Sequence, residues 1–147
     1  MSHGGKTIAE LPPIATLLTP EERLRVDAAG EGYYRTLHRE NVDDVIRDLK
    51  AQHVQAVLVS VSCASKCAGR VASLVREFPR IPAVALLSEF EIRTPHAVLA
   101  LGQCGIKRLV DVRHATGWRE LRGTLMADTG DAGQRGVLGQ GVGVCRR

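Results

Sequence analysis

The side chains with the most chemical potential in this sequence are carboxylates and hydroxyls that follow short apolar runs. Each run has the composition of a strand covered on both faces. Ligand sites of open parallel sheets lie beyond the carboxyl ends of the strands, so these side chains are candidates for one shared site. The candidate side chains, in chain order, are Glu21 and Glu22, Ser60 and Ser62, and Ser88.

Each candidate also has a simpler explanation. Glu21 and Glu22 lie where a helix starts, and capping accounts for their presence. No Gly-x-Ser-x-Gly elbow surrounds Ser60 or Ser62, so neither has the local sequence of a strained serine nucleophile. Ser62 is well placed to cap the following helix. We therefore expect no catalytic residue, cofactor or metal at this site.

The first elements are predicted from capping chemistry. Thr19–Glu22 combines a capping hydroxyl, a proline and a capping-box glutamate directly after the apolar run Ile14–Leu18. Gly30 and Gly32 should end this helix. The segment Tyr33–Leu37 is then rich in residues that favour strands. Together these features predict one strand, helix, strand unit.

The rest of the chain repeats this alternation. Asn41 is a plausible helix cap, and apolar residues then recur at helical spacing. The predicted later strands are Ala56–Val61, Ala83–Leu87 and Leu109–Val112, and the predicted later helices contain Val42–Leu49, Ala68–Phe78, Thr94–Leu101 and Trp118–Leu125.

Five strands alternating with five helices predict an α/β fold with a doubly wound parallel sheet. We expect the flavodoxin-like order 2-1-3-4-5 in a single domain over residues 13–126. Residues 1–12 are expected to be a flexible N-terminus. Residues 127–147 contain six glycines in 21 positions and are expected to be a disordered tail.

Composition excludes several classes of protein. Hydrophobic residues at 44% and charged residues at 24% are typical of a folded globular chain. Aromatic residues at 3% argue against a stacking platform for single-stranded nucleic acid. The sequence contains no secretory or membrane-spanning apolar run, so we expect a cytoplasmic protein with reduced thiols and no membrane contact.

The cysteines leave two interpretations open. Cys63 and Cys67 are four residues apart, which permits a thiolate metal site or a redox pair. The better-supported interpretation is that Cys67 and Cys104 pack as small apolar residues. Cys63 should lie at a helix N-terminus, which would lower the pKa of its thiol.

From Ile14 to Leu125 the order of elements, Ser88 after the fourth strand and the turn at Gly105 resemble a receiver domain of the response-regulator type. Phosphorylation in that family needs an acidic pair after strand one, an aspartate ending strand three, a Ser or Thr after strand four and a lysine after strand five. Here the acceptor position falls at Ser60 or Val61. The resemblance therefore implies a degenerate pseudo-receiver without aspartyl phosphorylation.

The lysine position of that family falls near Val112 or Arg113. The predicted degenerate pocket thus consists of Glu21, Glu22, Ser60, Val61, Ser62, Ser88, Val112 and Arg113.

Four later segments, taken in order, resemble the receiver-like domain found N-terminal to AraC-type helix-turn-helix regulators: Leu86–Ser88, Ala100–Gly102, Lys107–Arg113 and Gly117–Arg122. This resemblance implies a role in bacterial transcription control. The 21 residues after the last predicted helix are too few for the DNA-binding domain. Two explanations stay open: a free-standing regulatory module, or the sensory half of a truncated or frame-shifted regulator.

The resemblance also implies a surface for pairing. Receiver-like domains commonly self-associate through the fourth helix, fifth strand and fifth helix, so a homodimer or a protein partner is expected. A solvated face and nonspecific DNA contact are the alternatives, although direct DNA binding is not expected without a further domain. The residues of this candidate self-association surface are Lys107, Arg108, Asp111, Arg113, Trp118, Arg119 and Arg122.

A second hypothesis comes from another functional class. The crevice at the strand ends is a usual place for small ligands, and the chain would then be a small nucleotide- or ligand-binding protein or enzyme. Its candidate polar groups are Glu21, Ser60, Ser62 and Ser88.

Overall fold

The protein folds around one parallel β-sheet. The computed structural model describes residues 11–64, 66–89, 94–114 and 116–130, without the side chains of 126–130. All four strand pairings are parallel, and the strand order β2-β1-β3-β4-β5 confirms the predicted flavodoxin-like topology. The strands are β1 (Pro13–Leu17), β2 (Arg35–His38), β3 (Ala56–Ser60), β4 (Ala83–Leu87) and β5 (Arg108–Asp111).

Helices cover both faces of the sheet. One apolar cluster joins the sheet to α1 and α6 through residues such as Val26, Leu121 and Leu125. The other joins it to the remaining long helices through Val45 and Leu74 among others. The helices are α1 (Pro20–Gly30), α2 (Val42–Lys50), α3 (Val61–Ala64), α4 (Ala68–Glu77), α5 (Thr94–Gln103) and α6 (Gly117–Gly130).

Capping determines where the first two long helices begin. The Thr19 hydroxyl accepts a hydrogen bond from the Glu22 N–H at 3.3 Å, and the Glu22 carboxylate accepts one from the Thr19 N–H at 2.9 Å. This is the predicted capping box. Asn41 caps α2 by accepting a hydrogen bond from the Asp44 N–H at 3.0 Å. Both caps satisfy N–H groups that the first helical turn cannot pair.

The structure differs from the sequence-based prediction at several elements: β1 begins one residue earlier, at Pro13, and β3 ends one residue earlier, at Ser60. β2 begins at Arg35 because the N–H groups of Tyr33 and Tyr34 both donate to the Gly30 carbonyl, at 2.8 and 3.1 Å. The two tyrosine N–H groups are therefore bound to the C-terminal end of α1 and do not pair with a neighbouring strand. β5 lies one residue earlier than predicted, and the single turn α3 was not predicted.

Parts of the predicted termini lie outside the described residues. Leu11 is buried and Pro12 is half-buried, and residues 1–10 of the predicted N-terminal segment are not described. α6 ends at Gly130, four residues beyond the predicted domain boundary at 126, and residues 131–147 of the predicted tail are not described. Within the described ranges, none of the helices is long and apolar enough to cross a membrane.

Candidate functional site

Three side chains meet at the carboxyl edge of the sheet in one hydrogen-bonded cluster. Glu22 Oε2 accepts hydrogen bonds from the Ser60 hydroxyl at 3.1 Å and from the Ser88 hydroxyl at 2.5 Å. Ser60 ends β3 and Ser88 follows β4, and these two strands are neighbours in the sheet. The Glu22 carboxylate therefore ties α1 to the ends of both strands. We call these three residues the Glu22 cluster.

The capping box explains why Glu22 reaches this position. Its Oε1 accepts the Thr19 N–H at 2.9 Å, which holds the side chain back over the start of α1. Glu22 is only 5% exposed, and a buried carboxylate is stable when donors satisfy its oxygens. The amide of Thr19 and the two serine hydroxyls supply those donors.

The two predicted acidic residues separate in the structure. Glu21 is exposed and lies 3.7 Å from Arg25, one helical turn further on. Such an exposed pair contributes little to stability. Because successive helical residues point about 100° apart, only Glu22 turns toward the sheet. Glu21 and Glu22 therefore do not act as a paired acidic site.

Of the two candidates for the phosphoryl-acceptor position, Ser60 is the last residue of β3 and Val61 begins α3. Ser60 is 1% exposed and Val61 is buried, whereas Ser62 is exposed. The Ser60 oxygen also accepts a hydrogen bond from the Ser62 N–H at 3.2 Å. The Ser60 side chain therefore caps the start of α3, and the capping role expected of Ser62 stays a prediction.

The two candidates for the lysine position, Val112 and Arg113, make different contacts. Val112 is buried, and its N–H extends the sheet by donating to the Leu87 carbonyl at 2.9 Å. Arg113 is bound to Asp111, with its Nη2 2.6 Å from Asp111 Oδ2. The hydrogen bond from this guanidinium lowers the pKa of Asp111 to about 2. Arg113 is thus engaged at its own strand end.

A crevice opens above the Glu22 cluster, between the ends of the strands and the helices that follow them. Its volume is about 1210 Å³. Its lining combines hydroxyls and apolar side chains with three basic residues, Arg25, Lys66 and His96, and three glutamates, Glu21, Glu22 and Glu89. Within the part of the chain that the structure describes, no group of three or more His, Cys, Asp or Glu residues is arranged to hold a metal ion. We call this space the strand-end crevice.

The three cysteines that the structure describes, Cys63, Cys67 and Cys104, behave mainly as packing residues. Burial, with a further contribution from the charge of Glu22, raises the pKa of the Cys63 thiol. The expected lowering of this pKa at a helix N-terminus is therefore wrong. Cys67 packs against the apolar cluster under α2 and α4, and the Cys104 thiol donates to the Ala68 carbonyl at 3.2 Å.

A second polar network was missed by the sequence analysis. His38 on β2 lies 2.9 Å from Asp27 on α1 and 2.5 Å from the fully buried hydroxyl of Thr16 on β1. The Thr36 hydroxyl donates to the same carboxylate at 2.5 Å. The only sequence signal was the polar alternation of Thr36 and His38 in β2. These hydrogen bonds connect the edge strand β2 to α1.

The candidate self-association surface is partly used within the chain. Asp111 pairs with Arg113, the Arg122 guanidinium lies 4.5 Å from the centre of the Tyr33 ring, and Trp118 packs against the core under α6. The basic residues Lys107, Arg108 and Arg119 are exposed. Two exposed leucines adjoin this surface: Leu99 on α5, 61% exposed, and Leu109 on β5, 41% exposed.

Solved structures share this fold at low sequence identity. A CheY-like protein, TadZ, from Pseudomonas aeruginosa is 16% identical, with 78% of this chain and 98% of that chain covered and a TM-score of 0.62. The N-terminal receiver domain of a response regulator from Bacteroides fragilis is 15% identical, with 84% and 100% covered and a TM-score of 0.64. These similarities establish a receiver-like fold.

A third similar structure has a different description. It is a putative pilus assembly-related protein from Burkholderia pseudomallei, 8% identical, with 86% of this chain and 95% of that chain covered and a TM-score of 0.58. No protein-family model and no curated protein matches the sequence.

Proposed function

We propose that the protein is a regulatory module of the receiver type that works through protein contacts and without aspartyl phosphorylation. The observation that carries this proposal is that β3 ends at Ser60, whose hydroxyl donates to the buried Glu22 carboxylate at 3.1 Å. A pseudo-receiver of this kind has no carboxylate at the end of β3 to form an acyl phosphate.

The electrostatics of the Glu22 cluster support the same proposal. A phosphoryl group transferred to Ser60 would carry its negative charge next to the Glu22 carboxylate, and like charges at such a distance repel strongly in a buried site. Phosphoryl transfer needs cations that neutralise this charge. The acidic residues that follow β1 are Glu21 and Glu22, and they separate in the structure, with Glu21 near Arg25 and Glu22 bound to the Thr19 N–H.

Bacterial transcription control is the setting we propose, because the segments from Leu86 to Arg122 resemble the N-terminal domains of AraC-type regulators. In that setting the chain is a regulatory module that contacts protein.

Treatment with a small phosphodonor tests the absence of phosphorylation. The purified chain is incubated with acetyl phosphate and Mg²⁺, and its intact mass is measured. We expect no change in mass. Addition of one phosphoryl group that hydroxylamine removes would identify an acyl phosphate and overturn the proposal.

The exposed leucines beside the candidate self-association surface provide a test of contact through this face. β5 is an edge strand, and Leu99→Asp or Leu109→Asp places a charge on the adjoining apolar surface. Sedimentation velocity should show weaker self-association for both variants. Leu24→Asp is the matched control, because Leu24 is 73% exposed on α1, on the other face of the sheet. Equal behaviour of all three variants would contradict a role for this face.

The volume of the strand-end crevice favours a second candidate function, the binding of a nucleotide or another small ligand. Ser62 and Glu21, both exposed at its rim, would supply polar contacts together with Ser88. A thermal-shift series with ATP and NAD separates the two candidates. Stabilisation by either compound that is lost in Ser62→Ala would favour ligand binding.

A further inference from the structure

A second groove lies on the same edge of the sheet, next to the strand-end crevice. It has a volume of about 620 Å³ and is bounded by the start of α1, the turn between β2 and α2, and the turn between α3 and α4. Apolar side chains form its floor, including Leu17, Leu18 and Val42. We call it the basic groove because of the charges on its walls.

Positive charge exceeds negative charge around this floor. The basic side chains that line the groove are Arg23, Arg39, Lys66 and Arg70, and the acidic ones are Glu40 and Asp43.

Three of the four basic side chains that line the groove form ion pairs with described residues, and Lys66 does not. Glu40 pairs with Arg23 at 3.3 Å, and Asp43 pairs with Arg70. Arg39 is bound to Asp48, which lies behind the groove, with 2.6 Å between Nε and Oδ2. Lys66 is exposed and forms no ion pair with any of the residues that the structure describes.

The start of α4 adds to the positive potential at the same wall. Cys67 is the N-cap residue and makes no side-chain hydrogen bond to the helix, and the first turn of α4 contains no acidic residue. Among the described residues, neither the cap position nor the first turn of α4 offsets the partial positive charge of this helix N-terminus, which lies beside Lys66. An occupant that carries a carboxylate would meet this charge directly.

We propose that the basic groove docks an extended acidic segment of a protein partner, with an apolar side chain on the floor and a carboxylate at Lys66. The inference rests on the proposed function, because it gives the chemistry of the partner that the regulatory module contacts. A bare anion would leave the apolar floor uncovered, and a purely apolar ligand would leave the Lys66 charge without a partner. An acidic peptide with interspersed leucines meets both requirements.

The test is an amide-resolved titration of the isotope-labelled full chain with a synthetic peptide of alternating Leu, Asp and Glu. We expect saturable shifts at Leu18, Asn41, Val42 and the segment 66–70. Lys66→Glu should weaken binding about tenfold or more, because it replaces an attraction with a repulsion. Lys50→Glu is the matched control, since Lys50 is also exposed but lies at the far end of α2.

Other outcomes would overturn the proposal. Shifts at the same amides with inorganic phosphate alone would show that the groove binds anions in general and does not select an acidic peptide. Peptide-induced shifts confined to β5 and α6, or equal weakening by both lysine variants, would exclude docking in the groove. A change in the sedimentation of Lys66→Glu without peptide would make a second copy of the chain the occupant. None of these results concerns phosphorylation, which the intact-mass measurement tests separately.

Discussion

Glu22 combines two roles that usually fall to different residues. Its Oε1 closes the capping box of α1, and its Oε2 accepts hydroxyl hydrogen bonds from the ends of two strands. A carboxylate in a buried position is costly unless its oxygens are satisfied. Here the donors are Thr19 at the cap of α1, Ser60 at the end of β3 and Ser88 directly after β4, so one side chain connects three elements.

Replacement of Glu22 should show how much these contacts contribute. Glu22→Ala leaves the Thr19 amide and two serine hydroxyls without their acceptor, and we expect the free energy of unfolding to fall by about 2 to 3 kcal/mol. Acetate should restore part of this loss, because the donors that remain converge on a space shaped for a carboxylate. Urea unfolding in acetate and in chloride measures both effects.

Glu21→Ala is the control for this prediction. Glu21 is exposed, so its removal should change stability by no more than about 0.5 kcal/mol. Equal effects of the two alanine variants would mean that the buried hydrogen bonds of Glu22 contribute nothing.

Tyr34 gives the protein a dependence on alkaline pH. Burial, with a further contribution from Asp27, raises the pKa of this phenol from 10.0 to about 12, and its hydroxyl donates to the Val26 carbonyl at 3.1 Å. The folded state favours the neutral phenol. The stability contributed by this preference is complete below the ordinary pKa and is lost as pH rises through the raised one.

Tyr34→Phe tests this preference. The variant should lose about 1 kcal/mol at neutral pH with the hydrogen bond, and its urea midpoint should fall less than that of the parent chain between pH 10 and 12. Parallel curves for the two proteins over that interval would show that Tyr34 titrates normally.

At the scale of elements, periodicity and capping predicted most of the sheet and the long helices. Thr19 and Asn41 cap the helices that they were predicted to cap. The predicted boundaries are wrong where a hydrogen bond to another element determines the backbone conformation. Tyr33 and Tyr34 have high strand propensity, but their N–H groups bind the Gly30 carbonyl, which propensity alone does not include.

The candidate site was predictable in position and not in detail. The rule that strand ends share one edge brought Ser60, Ser88 and Glu22 together from the sequence. The hydrogen bonds among them depend on the register of β3 against β4 and on the rotation of Glu22 about α1. The Cys63 thiol shows the same limit, because burial beside Glu22 reverses the pKa shift expected from a helix start.

The contact between α1 and the following turn offers a prediction at this scale. A methyl group added at Gly30 would overlap the Tyr34 ring, so Gly30→Ala should destabilise the fold by about 1 to 3 kcal/mol through overpacking. Gly123→Ala is the matched control in α6, because a Cβ at Gly123 meets no described atom and should stabilise the helix by about 0.5 to 1 kcal/mol. Thermal unfolding of both variants checks the opposite signs.

At the scale of the whole molecule, the carboxyl edge of the sheet contains both the strand-end crevice and the basic groove. Thr19, Pro20 and Lys66 line both spaces. The Glu22 cluster lies beneath the strand-end crevice, and Lys66, which forms no ion pair with a described residue, faces both spaces. On our account the receiver-like fold supplies a rigid frame for these surfaces, and regulation comes from what binds to them.

The most direct test of this account uses beryllofluoride, a phosphoryl mimic, with Mg²⁺. Amide spectra of the isotope-labelled chain are recorded before and after the addition. We expect no change at Ser60, Ser62, Ser88 and Val112, because the end of β3 has no carboxylate and Glu22 already holds both serine hydroxyls. Saturable shifts centred on these residues would show that the pocket accepts a phosphoryl group and would contradict regulation without phosphorylation.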